Sequence, residues 1–216
     1  MPPIDSARVA GALAAVALDS LEEEALERLA THLDLMLEWN RRVNLTAIRD
    51  QEEALRLHVA ESICGLALLP PPRHGSRLRL IDLGSGNGYP ALPLLIARDD
   101  LDGVLVEASQ RKAAFLRAVT RRVALGDRVR VLNERVKRLS DLAGSWDVMT
   151  LRAFPDPERW IREAIASPSV DGVLAWLSSS DALRIAGEHL NSSIAVENLE
   201  LPTRRECMIL RFIKTK

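Results

Sequence analysis

Cysteine is scarce: Cys64 and Cys207 are the only two in 216 residues. They lie far apart and have neither CxxC nor metal-ligand spacing, so two free thiols in a reducing compartment are expected. No apolar stretch approaches the ~20 residues of a membrane-spanning helix. The apolar run at 9–18 follows Asp5 and precedes an acidic segment, whereas a signal peptide places basic residues before its apolar core. A cytoplasmic protein is therefore expected. Excess charge is lacking too: 29 Lys and Arg stand against 30 Asp and Glu, which argues against a generally basic nucleic-acid binder. The chain also lacks internal repeats, low-complexity tracts and any recognisable RNA-binding module. What is present, 47% apolar and 27% charged residues, is the composition of a folded globular chain. Its length suits one domain carrying a sizeable extension.

The apolar pattern changes character near residue 70. Before it, spacing is helical. Asp5 is placed to cap a first helix carrying Val9, Leu13 and Val16. Ser20 and Glu23 have capping-box spacing for a second, with Leu26, Leu29, Leu33 and Leu37 on one side. Asp50 and Glu53 repeat the signal for a third, ended by Pro70, Pro71 and Pro72. Beyond the prolines, LRLIDL (78–83), GVLVEA (103–108), RVRVL (128–132), WDVMTL (146–151) and GVLAWL (172–177) read as buried strands. Residues 90–98, 110–124 and 156–166 read as the helices between them. Alternation of this kind predicts an α/β fold with a mostly parallel sheet covered on both faces. The last segment, SIAVENLELPTRRECMILRFIK, predicts two further strands joined without a helix, an antiparallel pair at the sheet edge. The division is thus a helical extension, 1–72, and an α/β domain, 73–216.

The most informative stretch is IDLGSGNGYP (81–90), a buried strand running into Gly84, Gly86 and Gly88, with Pro90 opening a helix. Ligands of open α/β sheets bind at this carboxyl end of the first strand. The dinucleotide fingerprint G-x-G-x-x-G wants glycine where Tyr89 stands. G-x-G-x-G after a strand carrying Asp82 instead looks like the loop of Rossmann-like S-adenosylmethionine methyltransferases. Glu107, at the end of the second strand, can accept both ribose hydroxyls of either cofactor, and a nicotinamide-dependent oxidoreductase stays the more distant alternative.

Several stretches together extend the likeness. EWNRRVNLTAI (38–48), HVAES (58–62), IDLGSGNGYPALPL (81–94), VEASQRKAAFLR (106–117) and LRAF (151–154) resemble the bacterial small-subunit rRNA guanine-N7 methyltransferases, the glucose-inhibited division protein B family. The resemblance implies a Rossmann-like class I methyltransferase. It implies methylation of guanine N7 in small-subunit (16S) rRNA with S-adenosylmethionine, on the rRNA or the assembled subunit, without metal or membrane. It places Gly84, Ser85, Gly86, Gly88 and Tyr89 on the cofactor loop and makes Glu107 the ribose acid. Val136 and Lys137 would flank the adenine, and Arg135 and Arg152 would lie at the active site, Arg152 also reaching the cofactor. Three positions depart from the family: Ala91 replaces a glycine, Lys137 an acid, and Ser178 a lysine near the end of the fifth strand. Alternatives are a methyltransferase acting on another RNA or a small molecule, and a cofactor-binding ribosome partner without turnover.

The chemistry agrees with what the chain lacks. Guanine N7 has an unshared pair and no proton at neutral pH, so its methylation needs no general base, and no His–Asp or Cys–base pair is evident. Positioning alone can supply roughly 7–11 kcal/mol of such a barrier. His58 reads as a structural histidine, Asn40 and Asn44 as residues that fix a loop, and Trp39 as packing between extension and sheet. Charge is unevenly spread: residues 111–138 carry ten Lys or Arg against Asp127 and Glu134, and residues 19–38 carry seven acids against Arg28. One basic face, suited to a phosphate-rich partner, is expected.

Overall fold

The computed structural model describes residues 2–18, 21–73, 75–189, 194–204 and 206–214. Asp5 caps α1 (Ser6–Ala14), its carboxylate accepting from the Arg8 amide, and Val9 and Leu13 are buried. Val16 lies past the helix end. α2 (Glu23–Val43) starts after Glu22, whose side chain makes no capping bond; the expected cap, Ser20, lies outside the described residues. Asp50 caps the third helical run through the Glu53 amide, as its spacing predicts. That run is not one regular helix. It passes through α3 (Gln51–Ala54), a π-helical stretch (Leu55–Ala60), α4 (Glu61–Ile63) and a 3-10 stretch (Cys64–Leu68). A π-helical insertion leaves no apolar period to read, and such bulges concentrate at functional sites.

Seven strands form one sheet: β1 (Leu78–Leu83), β2 (Leu101–Val106), β3 (Val129–Leu132), β4 (Val148–Arg152), β5 (Gly172–Ser178), β6 (Ile194–Glu200) and β7 (Cys207–Lys214). Their order is β3-β2-β1-β4-β5-β7-β6. The first five pair in parallel, and β7 runs antiparallel between β5 and β6. The sequence-based strands are all present with ends displaced by up to two residues. α5 (Ala91–Ala97), α6 (Gln110–Arg122) and α7 (Pro157–Ala166) are the expected connections. Pro90 sits at the N-cap of α5 rather than inside it, after a cis Tyr89–Pro90 peptide. α8 (Ser179–His189) has no counterpart in the sequence reading. Its segment opens with serines and, among the described side chains, buries only Ala182 and Ile185, too few residues to declare a helical period.

Alternation along β1 assigns the two faces of the sheet. Leu78 and Leu80 join the core that contains Leu29, Leu33 and Met36 of α2, Leu92 and Leu94 of α5, and Phe115 of α6. Ile81 and Leu83 join the other, with Trp160 and Ile161 of α7 and Ile185 of α8. The N-terminal helices thus share their core with one face of the sheet, where each fully buried Leu or Met contributes roughly 1.5–3 kcal/mol. The run 51–68 is docked on β5. A Cβ on Gly65 would lie 2.6 Å from the Trp176 ring, and Trp176 Nε1 donates to the Glu61 carbonyl at 2.9 Å. Both cysteines are free thiols, and among the described residues no helix is long and apolar enough to cross a membrane.

Candidate active site

Strand order reverses between β1 and β4, the point at whose carboxyl ends open α/β sheets bind ligands. Leu83, Val106 and Leu132 are in register there, and Leu83 pairs with Leu151. The glycine loop turns on this edge. The amides of Gly84 and Ser85 both donate to the Val106 carbonyl, at 2.9 and 3.0 Å, and the buried Ser85 hydroxyl donates to the Asp82 carbonyl. All three glycines have positive φ, for three different neighbours. A Cβ on Gly84 would meet the Phe154 ring at 2.2 Å. One on Gly88 would meet Leu92 at 2.5 Å and His32 at 3.1 Å. One on Gly86 would meet only the Gly84 carbonyl, at 3.6 Å. Gly86 is therefore the open face of the loop, where a ligand can approach the backbone.

Glu107 follows β2 directly. One carboxylate oxygen accepts from the Gly86 amide at 2.9 Å, the other from the Ser109 amide at 2.6 Å. The group is thereby fixed against the open glycine with lone pairs to spare. Asp82, beside it, is 1% exposed. One oxygen accepts from Thr150 Oγ1 at 2.6 Å, and Oδ2 has no partner among the described residues. Burial pushes this carboxyl up to about 6, against the hydrogen bonds from Thr150 and Ser85. A bare glycine backbone, a pre-aimed carboxylate and an orphaned buried oxygen fit the adenosyl group that the sequence resemblance implies.

The back of the loop is gripped from the N-terminal helices. Tyr89 is buried with its ring stacked between those of His32 (centroids 4.3 Å apart) and His58 (4.8 Å). His32 Nε2 donates to the Asn87 carbonyl at 2.9 Å. Asn87 Nδ2 donates to His58 Nε2 at 3.4 Å, and Thr46 Oγ1 lies 3.2 Å from the same nitrogen. His58 Nε2 therefore accepts, which makes that ring neutral. Burial lowers His32 to about 4, and burial together with Arg152 lowers His58 to about 3. His58 is structural, as expected, yet what it supports is the loop itself. Nothing in the sequence pairs His32 with Tyr89.

Arg152, the last residue of β4, turns inward. Its Nη2 donates to Glu61 Oε2 and the Leu57 carbonyl, both at 2.5 Å, and Nη1 donates to Ser62 Oγ at 3.3 Å. Glu61, 2% exposed, also accepts from Thr203 Oγ1 at 2.7 Å and faces Arg204 Nε at 3.0 Å. Burial works against the Arg152 charge and Glu61 restores it. The guanidinium thus locks the π-helical run to the sheet.

With this geometry fixed, comparison with known proteins is decisive. A family model described as rRNA small subunit methyltransferase G matches residues 25–197. The chain belongs to the rRNA small subunit methyltransferase G family. It is 35% identical to the protein of that name from Anaeromyxobacter sp. (strain Fw109-5), over 95% of both chains. It is 38% identical to the one from Neisseria meningitidis serogroup C / serotype 2a, over 69% of this chain and 68% of the relative. Among solved structures, the METTL16 MTase domain superposes with a TM-score of 0.61 at 14% identity, covering 89% of this chain and 81% of that one. That likeness concerns the fold, a class I methyltransferase.

The family member's remaining predicted residues lie on the loop after β3. Arg135 is exposed and makes no hydrogen bond or ion pair with another described residue. Val136 packs partly against the second core. Lys137 presents its side chain to solvent, while its amide donates to Asp141 and its carbonyl accepts from Arg159. Ser178 accepts from the Asp181 amide at 3.2 Å and donates to the Asp181 carboxylate at 2.8 Å, so this departure caps α8. Asn40 fixes the following loop with bonds to Thr46 and Ile48. Trp39 packs against the core shared by the N-terminal helices and the sheet, its ring edge-on to Phe115 of α6. That contact brings exposed Arg41 and Arg42 beside α6, whose Arg111, Arg117, Arg121 and Arg122 are exposed. Arg128 leaves this group, because its guanidinium bonds the carbonyls of Leu95, Arg98 and Leu101.

Proposed function

We infer that the chain transfers a methyl group from S-adenosylmethionine to N7 of a guanine in small-subunit rRNA. The observation that carries this reading is the Glu107 carboxylate held on the Gly86 and Ser109 amides at the open face of the loop, in a member of this family. When bound, S-adenosylmethionine supplies a methyl on sulfonium sulfur, so that an N7–C bond forms as the S–C bond breaks and its electron pair stays on sulfur. Gly84, Ser85, Gly86 and Gly88 shape the cofactor loop, Glu107 takes the ribose, and Val136 with the Lys137 backbone borders the adenine. Tyr89 contributes by bracing the loop, since its ring is enclosed by two histidines. Arg152 acts as a positioning residue through Glu61, and Arg135, exposed and with no hydrogen bond or ion pair to another described residue, offers a cation to a phosphate. Residues 1–72 are the extension that supports the catalytic domain, 73–216, in a cytoplasmic setting.

The test is transfer of radiolabelled methyl to small ribosomal subunits lacking native N7 methylation, with chemical cleavage to map N7-methylguanine. One labelled guanine is expected. No label, with cofactor binding intact, would make this a binding protein or an enzyme with another substrate. Two variants follow from the geometry. Glu107→Gln keeps one acceptor where two amide donors point, so affinity for S-adenosylmethionine should fall about 10-fold or more, measured by calorimetry. Arg135→Ala should leave that affinity intact, weaken subunit binding, and reduce the slope of log affinity against log salt by about 1.

A further inference from the structure

The chain has eight aromatic residues outside histidine, four Trp, three Phe and one Tyr. Tyr89, Phe115, Trp146, Trp160, Trp176 and Phe212 are buried. Only Trp39 and Phe154 remain half-buried. Proteins that recognise unpaired RNA bases stack them on aromatic faces or Arg planes, so these two rings are the available aromatic platforms. Trp39 stands edge-on to Phe115 at the helical flank. Phe154 stands at the switch point, against the bare Cα of Gly84.

The surroundings of Phe154 are built to hold it there. Ala153, in the left-handed region with φ of 48°, reverses the chain between the inward-turned Arg152 and Phe154. Trp160 meets the Phe154 ring edge-to-face at 5.6 Å, and Arg159 covers Trp160 at 5.2 Å. Arg159 also bonds the Lys137 carbonyl at 2.6 Å. One half-open ring therefore links the glycine loop, the end of β4 and the loop carrying Arg135.

We propose that Phe154 is the stacking platform for the target guanine. The proposal rests on the methyltransferase reading and names the residue that holds its substrate base. Methylation at N7 moves positive charge from sulfur onto the purine. An aromatic face attracts that developing cation, and attraction that grows along the reaction raises turnover rather than binding alone. The nearest arginine on the same strand end, Arg152, does not oppose it, because Glu61 already balances its charge.

The experiment compares methyl transfer to undermethylated small subunits by the native chain, Phe154→Leu, Phe154→Tyr, and a chain with pentafluorophenylalanine at position 154. The leucine variant should lose roughly 10- to 100-fold in kcat/KM for subunits, with unchanged affinity for S-adenosylmethionine; Phe154→Tyr should retain most activity. Pentafluorophenylalanine keeps the ring and inverts its quadrupole, so kcat should fall while the melting temperature holds. Full activity in the leucine or fluorinated chain would overturn the proposal. So would a loss of cofactor affinity matching the loss of turnover, which would make Phe154 a cover for the glycine loop. Failure of the native chain to label any N7 would overturn the methyltransferase reading and this proposal together, whereas a labelling native chain with an equally active leucine variant overturns only the latter.

Discussion

Replacing Arg152 by alanine should destabilise the protein by about 3 kcal/mol, the low end of the range for breaking a buried ion pair. Glu61, at 2% exposure, would keep Thr203 and the half-exposed Arg204 and lose the partner that makes its 2.5 Å contact. Lysine should not rescue, since a single ammonium cannot bond Glu61, the Leu57 carbonyl and Ser62 in one fork. Urea denaturation at pH 7.5 followed by circular dichroism measures the loss. The double variant Arg152→Met with Glu61→Gln separates two roles. It removes the uncompensated charge and should recover part of the stability, while methyl transfer stays low because the π-helical run is no longer fixed to β4. An alanine variant that unfolds at the native midpoint would remove Arg152 from the structural framework.

Acidification should be nearly as damaging. His32 and His58 titrate near 4 and 3 in the folded chain and near 6.5 when unfolded. Between these values the unfolded chain binds more protons, so stability present above pH 6.5 is lost as pH falls. Asp82 acts in the opposite sense, because its folded pKa, about 6, lies above the unfolded value of 3.8. Acidification therefore relieves its burial and offsets part of the loss. From pH 7.5 to 5 the two histidines remove about 4 kcal/mol and Asp82 returns about 1 kcal/mol. A net loss near 3 kcal/mol is expected from denaturation curves at the two pH values. His58→Gln or His32→Gln should flatten this dependence; an unchanged slope in both would show that neither ring is held neutral. Since both histidines grip Asn87, affinity for S-adenosylmethionine should weaken over the same interval.

The parallel strands and the glycine loop were legible because each strand is a contiguous apolar run bounded by glycine or charge. Asp5 and Asp50 were legible as caps because capping is a three-residue relation. What escaped was built across long separations or without a period. The Tyr89 stack joins positions 32, 58 and 89, and the sequence could mark Tyr89 only as a loop residue. Glu61 was visible inside HVAES but not as the partner of an arginine ninety-one positions away. The π-helical stretch breaks the spacing on which helix reading depends, and α8 buries too little to declare itself. Among the site residues, Glu107 lies against Gly86 as its place after β2 suggests, whereas Arg152 faces inward, which depends on the register of helices the sequence could not position.

The common core of α2, β1, α5 and α6 also decides how the molecule comes apart. Leu29, Leu33 and Met36 pack with Leu80, Leu92 and Phe115 without a seam at the prolines that separate the two halves of the sequence. The most protected amides of α2 and β1 should then exchange with solvent through one global opening, and a protease that nicks the proline segment should leave the two pieces associated. Loss of the helices would uncover the apolar residues that α2 covers on β1, α5 and α6 and release Asn87 at the same moment, so cofactor affinity becomes a remote reporter of whether the N-terminal helices are seated.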